Sequence, residues 1–189
     1  GSASSAVNPN AAYAYATDRF SVYSPSSGKL TAGQSSTSTA GFTKSLLITS
    51  SAATTVAAGD IYVLTQPIEG LNVVDLGWGA VGAATVTLSF WVRSSLTGTF
   101  GGAVTNNSNR SYPFTYTISS ANTWEQKTIT VAGDTSGTWN STYGIGIQLA
   151  FGLGAGSGYS GTAGSWTSST VLSATGAVSV VGTNAATWY

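Results

Sequence analysis

The chain contains no cysteine, no histidine and no methionine. Without cysteine there is neither a disulfide framework nor a thiol nucleophile. Without histidine the commonest general acid–base group is gone, and so are the usual zinc ligand sets. Charge is scarce as well: charged residues make up 6% of the sequence, against about 25% in an ordinary globular domain. Six basic and six acidic residues cancel to a net charge of zero. Arg19, Lys29, Lys44, Arg93, Arg110 and Lys127 stand singly, so there is no basic footprint for phosphates and nucleic acid is not expected as a partner. No apolar run approaches the ~18 residues of a membrane-spanning helix, so membrane insertion is not expected. The opening stretch GSASSAVNPN lacks the charged and apolar regions of a signal peptide, and a chain that starts on Gly1 is not read as the untouched start of a translation product.

What is present points to strands. The 189 residues suit one β-sandwich or barrel domain, and a hydrophobic share of 42% is enough for a sizeable core. The polar remainder is mostly Ser, Thr, Gly and Asn; threonine favours strands, glycine and asparagine favour turns. Residues 1–17 read as a flexible N-terminal arm and residues 18–189 as one domain. Strands are expected near residues 18–23, 44–49, 61–68, 113–118, 124–131, 145–151, 177–181 and 187–189. The clearest signal is TVTLSFWVR at residues 85–93. There Val86, Leu88, Phe90 and Val92 fall on one face, and Thr87, Ser89, Trp91 and Arg93 on the other. Ile145, Ile147, Leu149 and Phe151 alternate in the same way. No segment sustains a helical period. Many short strands separated by Gly/Asn/Ser turns predict an all-β fold, an antiparallel two-sheet β-sandwich of the jelly-roll kind. The sequence stops at Thr187-Trp188-Tyr189, in mid-strand. That reads either as a truncated domain or as one whose further residues pair elsewhere, and a sheet lacking its last strand would expose an edge.

Catalytic signatures are missing. The glycine-rich stretch at residues 152–164 has GxGxxG-like spacing but no following Lys-Ser/Thr and no helix, so it reads as a flexible loop and not as a phosphate cradle. The carboxylates Asp18, Asp60, Glu69, Asp75, Glu125 and Asp134 are spread along the chain without the pairing signature of a glycosidase. No catalytic residue is assigned, and no enzyme activity or cofactor is expected. A structural calcium ion held by loop carbonyls and a carboxylate or two is compatible with the sequence. Asn106, Asn109 and Asn140 begin N-x-Ser/Thr sequons, which matter only on a eukaryotic secretory route.

Six tryptophans and nine tyrosines are the remaining asset. Sugars stack their C–H faces on aromatic rings while amides and hydroxyls take their polar edges. Trp91 should point away from the Val86/Leu88/Phe90 face, beside Arg93, and Gln148 has the outward phase of its own strand. Trp91 as a stacking ring, with Arg93 and Gln148 as polar partners, is the candidate glycan site; the other reading of Trp91 is a ring covered by a loop or a neighbouring subunit. Trp124, Trp139 and Trp188 read as core or corner residues.

The runs QPIEGLNVVDLGWGAVGAATVTLSFWVRSSLTGTFGGAV, NRSYPFTYTISSANTWEQKTITVAGDTSGTW and FGLGAGSGYSGTAGSW resemble the β-rich domain of bacteriophage virion structural proteins, tail-fibre or capsid-fibre and decoration proteins above all. The resemblance covers roughly residues 18–189. It implies a non-enzymatic protein of the virion surface, with other virion proteins as partners, a homo-oligomer with a trimer favoured, and host-surface glycan as a further partner. In that family the last strand continues into a segment that this sequence does not include. The order Q-x-I-x-G, T-x-S-F-W-V and W-x-x-x-T-I-T-V is more distantly similar to galactose-binding-type carbohydrate-binding modules. The alternative function is accordingly that of an extracellular carbohydrate-binding module of a bacterial protein.

Overall fold

A computed structural model of the chain describes residues 6–189, in which thirteen strands and two short 3-10 turns form the regular structure. In chain order the strands are β1 (Ala12–Thr17), β2 (Phe20–Ser24), β3 (Leu30–Ser35), β4 (Ser45–Ser50), β5 (Ile61–Glu69), β6 (Val86–Val92), β7 (Gly98–Thr105), β8 (Ser111–Ile118), β9 (Glu125–Val131), β10 (Ile145–Ala155), β11 (Ser160–Gly161), β12 (Ser173–Ala174) and β13 (Thr187–Trp188). Among the described residues there is no α-helix, and the protein is an antiparallel β-sandwich.

One layer is a six-stranded sheet in the order β1-β2-β5-β10-β7-β8, antiparallel throughout. The second layer is made of two pieces, β13-β4-β3 and β6-β9. They meet at one corner, where Ser94 pairs with Trp188 and the backbones of Arg93 and Tyr189 bond to each other. Between the layers lie Val22, Leu64, Phe100, Tyr116 and Phe151 from the large sheet and Leu30, Ile48, Val92, Val131 and Trp188 from the smaller one. Phe90 packs edge-on against both Tyr116 and Phe151, with centroids 5.1 and 5.0 Å apart. The period-two reading of β6 holds: Val86, Leu88, Phe90 and Val92 face this core, while Thr87, Ser89 and Trp91 are exposed. Ile147, Leu149 and Phe151 are in the core as well, and Ile145 is half-buried.

The large sheet is covered on its other face too. Ile61, Val63, Ala150 and Leu172 form a second cluster there, beneath β11 and β12. Gly101 and Gly152 permit the close approach. A Cβ on Gly101 would lie 2.6 Å from the Ala174 nitrogen, and one on Gly152 would lie 2.3 Å from the Ser173 hydroxyl.

Several expectations are corrected. The expected arm over residues 1–17 is in part an edge strand, because Ala12–Thr17 pair with β2; residues 1–5 lie outside the described residues. The glycine-rich stretch is not a loose loop. Its first residues are the end of β10, and a Cβ on Gly156 would lie 2.0 Å from the Ala57 carbonyl oxygen. Residues 177–181 form no strand; Val180 and Val181 are fully buried as an apolar plug without a ladder. β7, GTFGGAVT, lies between β10 and β8 in the large sheet at a place where the sequence predicts no strand.

Candidate functional site

Three of the six tryptophans are spent on one corner of the fold. Trp78, Trp139 and Trp166 meet edge to face with centroids 4.8–5.4 Å apart. Each indole N–H donates to a nearby carbonyl: Trp78 to Ala84, Trp139 to Ser136 and Trp166 to Ala132. Beside them the Arg110 guanidinium grips Asp134 with two bonds of 2.6 Å and passes 5.8 Å from the Trp166 ring. The Asp134 carboxylate keeps the Arg110 guanidinium above its ordinary range. Asn106 organises the neighbouring turn, its side-chain carbonyl accepting the N–H groups of Ser108, Asn109 and Arg110. With every indole N–H satisfied and the one ion pair closed, this corner is built for rigidity.

The other three tryptophans gather on the smaller layer. Trp188 is buried, and its indole N–H donates to the Tyr116 hydroxyl at 3.1 Å. Burial pushes the Tyr116 phenol far above its ordinary range. Trp91 is 39% exposed. Across the β6–β9 ladder it faces Gln126, and Ser89 faces Thr128. Because alternate residues share a face, Trp91, Ser89, Gln126 and Trp124 all turn outward. Trp124 packs against Tyr189 at 5.7 Å, and the Arg93 guanidinium lies 4.9 Å above the same Tyr189 ring. The Gln126 amide donates to the Ser89 hydroxyl at 3.2 Å, and Arg93 Nε donates to the Asn122 carbonyl at 2.8 Å. The result is a group of aromatic rings flanked by an amide, a hydroxyl and a guanidinium, apolar faces with polar groups at their edges.

These rings border an open groove of about 620 Å³ between β6 and the β3–β4 hairpin. Its far wall carries Phe42, Lys44 and Leu46, and its floor is Leu64, Phe90 and Phe151.

Trp91 and Arg93 therefore share the expected outward face, but Gln148 does not join them. Phe151 points at Phe90, so Gln148, three residues earlier on a regular stretch of β10, points through the opposite face of the large sheet. It is 5% exposed, and its side-chain nitrogen has no hydrogen-bond partner. The phase of its strand was right; what the sequence hides is that this face is covered. Trp124 and Tyr189 belong to the aromatic row although sequence reasoning placed Trp124 in core or corner. Counting back two residues from Gln126, one position beyond the start of β9, would have found Trp124, while Tyr189 has no such signal.

A second cleft, of about 780 Å³, opens where β1 and β2 meet the ends of β5 and β10. It brings Asp18 and Glu69 to one place with Arg19, Asn72, Tyr15 and Tyr143. Among the described residues no three carboxylates gather where they could hold a metal ion.

No family model matches the sequence, and no curated protein does. Two solved structures are similar in outline. One is the enzymatically active domain of tailspike protein 4 of bacteriophage CBA120, 13% identical with a TM-score of 0.43, covering 71% of this chain and 17% of that one. The chain thus spans about a sixth of the tailspike domain's length. The other is the carbohydrate-binding module TmCBM61 in complex with beta-1,4-galactotriose, 12% identical with a TM-score of 0.38, covering 79% of this chain and 82% of the module.

Proposed function

We propose that the chain is a non-enzymatic adhesion domain of the surface of a phage particle, binding a neutral glycan on the outward row Trp91–Trp124–Tyr189. The observation that carries the glycan reading is the exposed Trp91 ring and the half-buried Trp124 and Tyr189 rings bordering one groove, with Arg93, Gln126 and Ser89 beside them. Exposed aromatic rings in a row are unfavourable to leave in water and offer stacking faces to a sugar. A net charge of zero gives no attraction to an anionic polymer beyond a Debye length, so a neutral or weakly charged glycan is the fitting ligand. Single-site binding of this kind is weak, and a homo-oligomer, a trimer in this proposal, raises it by linking copies.

The aromatic row is complete within one chain, and this favours a second reading, an extracellular carbohydrate-binding module that works as a monomer. Light scattering separates the two: a stable trimer supports the virion reading, a monomer the module. Glycan-array binding tests what they share. Wild type is expected to bind and Trp91→Ala to lose binding at unchanged melting temperature; equal binding by the two proteins overturns the site. The non-enzymatic role has its own check at the Asp18/Glu69 cleft. A bound oligosaccharide is expected to be recovered uncleaved, and cleavage that disappears in Glu69→Gln overturns that part.

A further inference from the structure

The second cleft follows from a difference in strand length within the large sheet. The β1–β2 hairpin turns at Asp18 and Arg19, between Thr17 and Phe20, and its last partner on β5 is Thr65, opposite Ser21. β5 runs on through Gln66, Pro67, Ile68 and Glu69, held on its other side by β10 as far as the Glu69–Ile145 pair. Beyond Thr65 the sheet therefore has a step, and the cleft of about 780 Å³ lies in it. Continuing the register of Ser21 with Thr65 brings Arg19 level with Pro67 and Asp18 level with Ile68, one residue short of Glu69. Asn72 and Tyr143 close the far end, where the Gly70 and Leu71 N–H groups donate to the Gly144 and Thr142 carbonyls. Pro67 has no N–H to give, so the step is a poor template for an added strand.

The step collects charge in a chain that has little of it. The sequence holds six basic and six acidic residues, and Asp18, Arg19 and Glu69 line this one cleft. Among the described residues the ion pairs are Arg110–Asp134 and Lys127–Glu125, so the three charges of the cleft are left unpaired. Tyr15 and Tyr143, 67% and 84% exposed, hold their rings in water at its border. Arg19 has a φ of 63°, in the left-handed region that favours glycine. The chain meets a positive φ with glycine at nine positions; at this turn it carries a charged side chain instead, the one such case among the described residues. Strain retained in the backbone beneath a side chain that lines a cleft points to a use for that side chain.

We propose that the step binds a zwitterion, a ligand that carries an ammonium group and an acid group a few bonds apart. Asp18 and Glu69 take the ammonium, whose charge the faces of Tyr15 and Tyr143 also attract. Arg19 takes the phosphate or carboxylate through its fork of donors. The Gln66 and Asn72 amides bond to the polar atoms between the two charges. Two carboxylates against one guanidinium disfavour a lone anion, and Arg19 beside Asp18 disfavours a bare cation. A ligand with both charges satisfies all three groups at once. The cleft shares none of the residues of the aromatic row, so the proposal stands independently of the glycan reading.

The test titrates the chain with O-phosphoethanolamine, an ammonium with a phosphate, and with β-alanine, an ammonium with a carboxylate. Ethanolamine and inorganic phosphate present the separate halves. Amide shifts in the NMR spectrum are expected at Asp18, Arg19, Glu69 and Asn72, and the better zwitterion tells which acid Arg19 prefers. That zwitterion is expected to bind about tenfold or more tighter than either half, the worth of one hydrogen bond to a charged group. Arg19→Gly removes the guanidinium and the backbone strain together. It is expected to weaken binding by about tenfold or more while raising the melting temperature, a pair of effects that a damaged fold does not give. Trp91→Ala is expected to bind the zwitterion as wild type does. Ethanolamine binding as tightly as both zwitterions, no shift at these amides with either zwitterion, or undiminished binding by Arg19→Gly overturns the proposal.

Discussion

The indole of Trp188 reaches across the sandwich to the hydroxyl of Tyr116, 3.1 Å away and wholly inside the core. This bond ties β13, which has only two paired residues, to β8 in the opposite sheet. It satisfies the indole N–H, which has no water to turn to. Tyr116→Phe keeps the ring and removes the acceptor. The expected cost is about 1–3 kcal/mol, the penalty of leaving a buried donor unpaired, read as a lower urea midpoint at unchanged slope. An unchanged midpoint would mean that the indole finds another acceptor.

The Arg110–Asp134 pair predicts a larger loss. The side chains are 11% and 2% exposed, and the bidentate contact closes the corner where the three tryptophans meet. Removing one partner strands the other charge in a nearly dry site. Asp134→Ala is expected to cost about 3–5 kcal/mol, while the double variant Arg110→Leu with Asp134→Leu recovers part of it. Thermal unfolding of the single and double variants measures the difference, and additive losses would argue against a coupled pair.

Glu125 predicts how stability depends on pH. The Lys127 ammonium, followed by the Ser120 and Ser119 N–H groups, holds its carboxyl below the ordinary value of 4.5. A depressed folded-state value means that the contribution is fully present above the ordinary glutamate range and lost as pH falls through the folded value. Melting temperature should therefore drop more in wild type than in Glu125→Gln as pH is lowered from neutral through that range. Parallel curves would remove Glu125 from the account.

β6, with one wet face, was legible down to its phase; β5 and β10, buried on both faces, were legible from their apolar residues, and β7 was not. β6 alternates apolar and polar residues because one side meets the core and the other meets solvent, so both its phase and the outward placement of Trp91 and Arg93 could be read directly. β7 lies between β10 and β8 with both faces covered, and its glycines at 101 and 102 are there for close packing rather than for a turn. Local propensity reads those glycines as breaks. The buried segment at residues 177–181 fails in the opposite sense, since Val178 and Val181 make single backbone bonds to Thr99 and Leu153 without forming a strand ladder. The site shows the same division. Trp91 and Arg93 follow from period two within one strand, whereas their meeting with Tyr189 depends on where β13 enters the second layer, which no local pattern encodes.

Gln148 separates strand phase from true exposure, and it yields the last prediction. Its amide lies among the side chains of the covered face between β5 and β7, opposite Pro67 and Thr105. The amide nitrogen has no partner, so it was taken out of water without compensation. Gln148→Leu has nearly the same volume and removes the orphaned group. It is expected to stabilise the fold by about 1 kcal/mol, in line with the benefit of replacing a buried unsatisfied polar group by an apolar one, and to leave glycan binding unchanged. Trp91→Ala is expected to do the reverse, losing binding at constant melting temperature. Measured side by side, the two variants assign one residue to the interior and the other to the surface. Loss of glycan binding in Gln148→Leu would move the binding face from the smaller layer to the covered face of the large sheet.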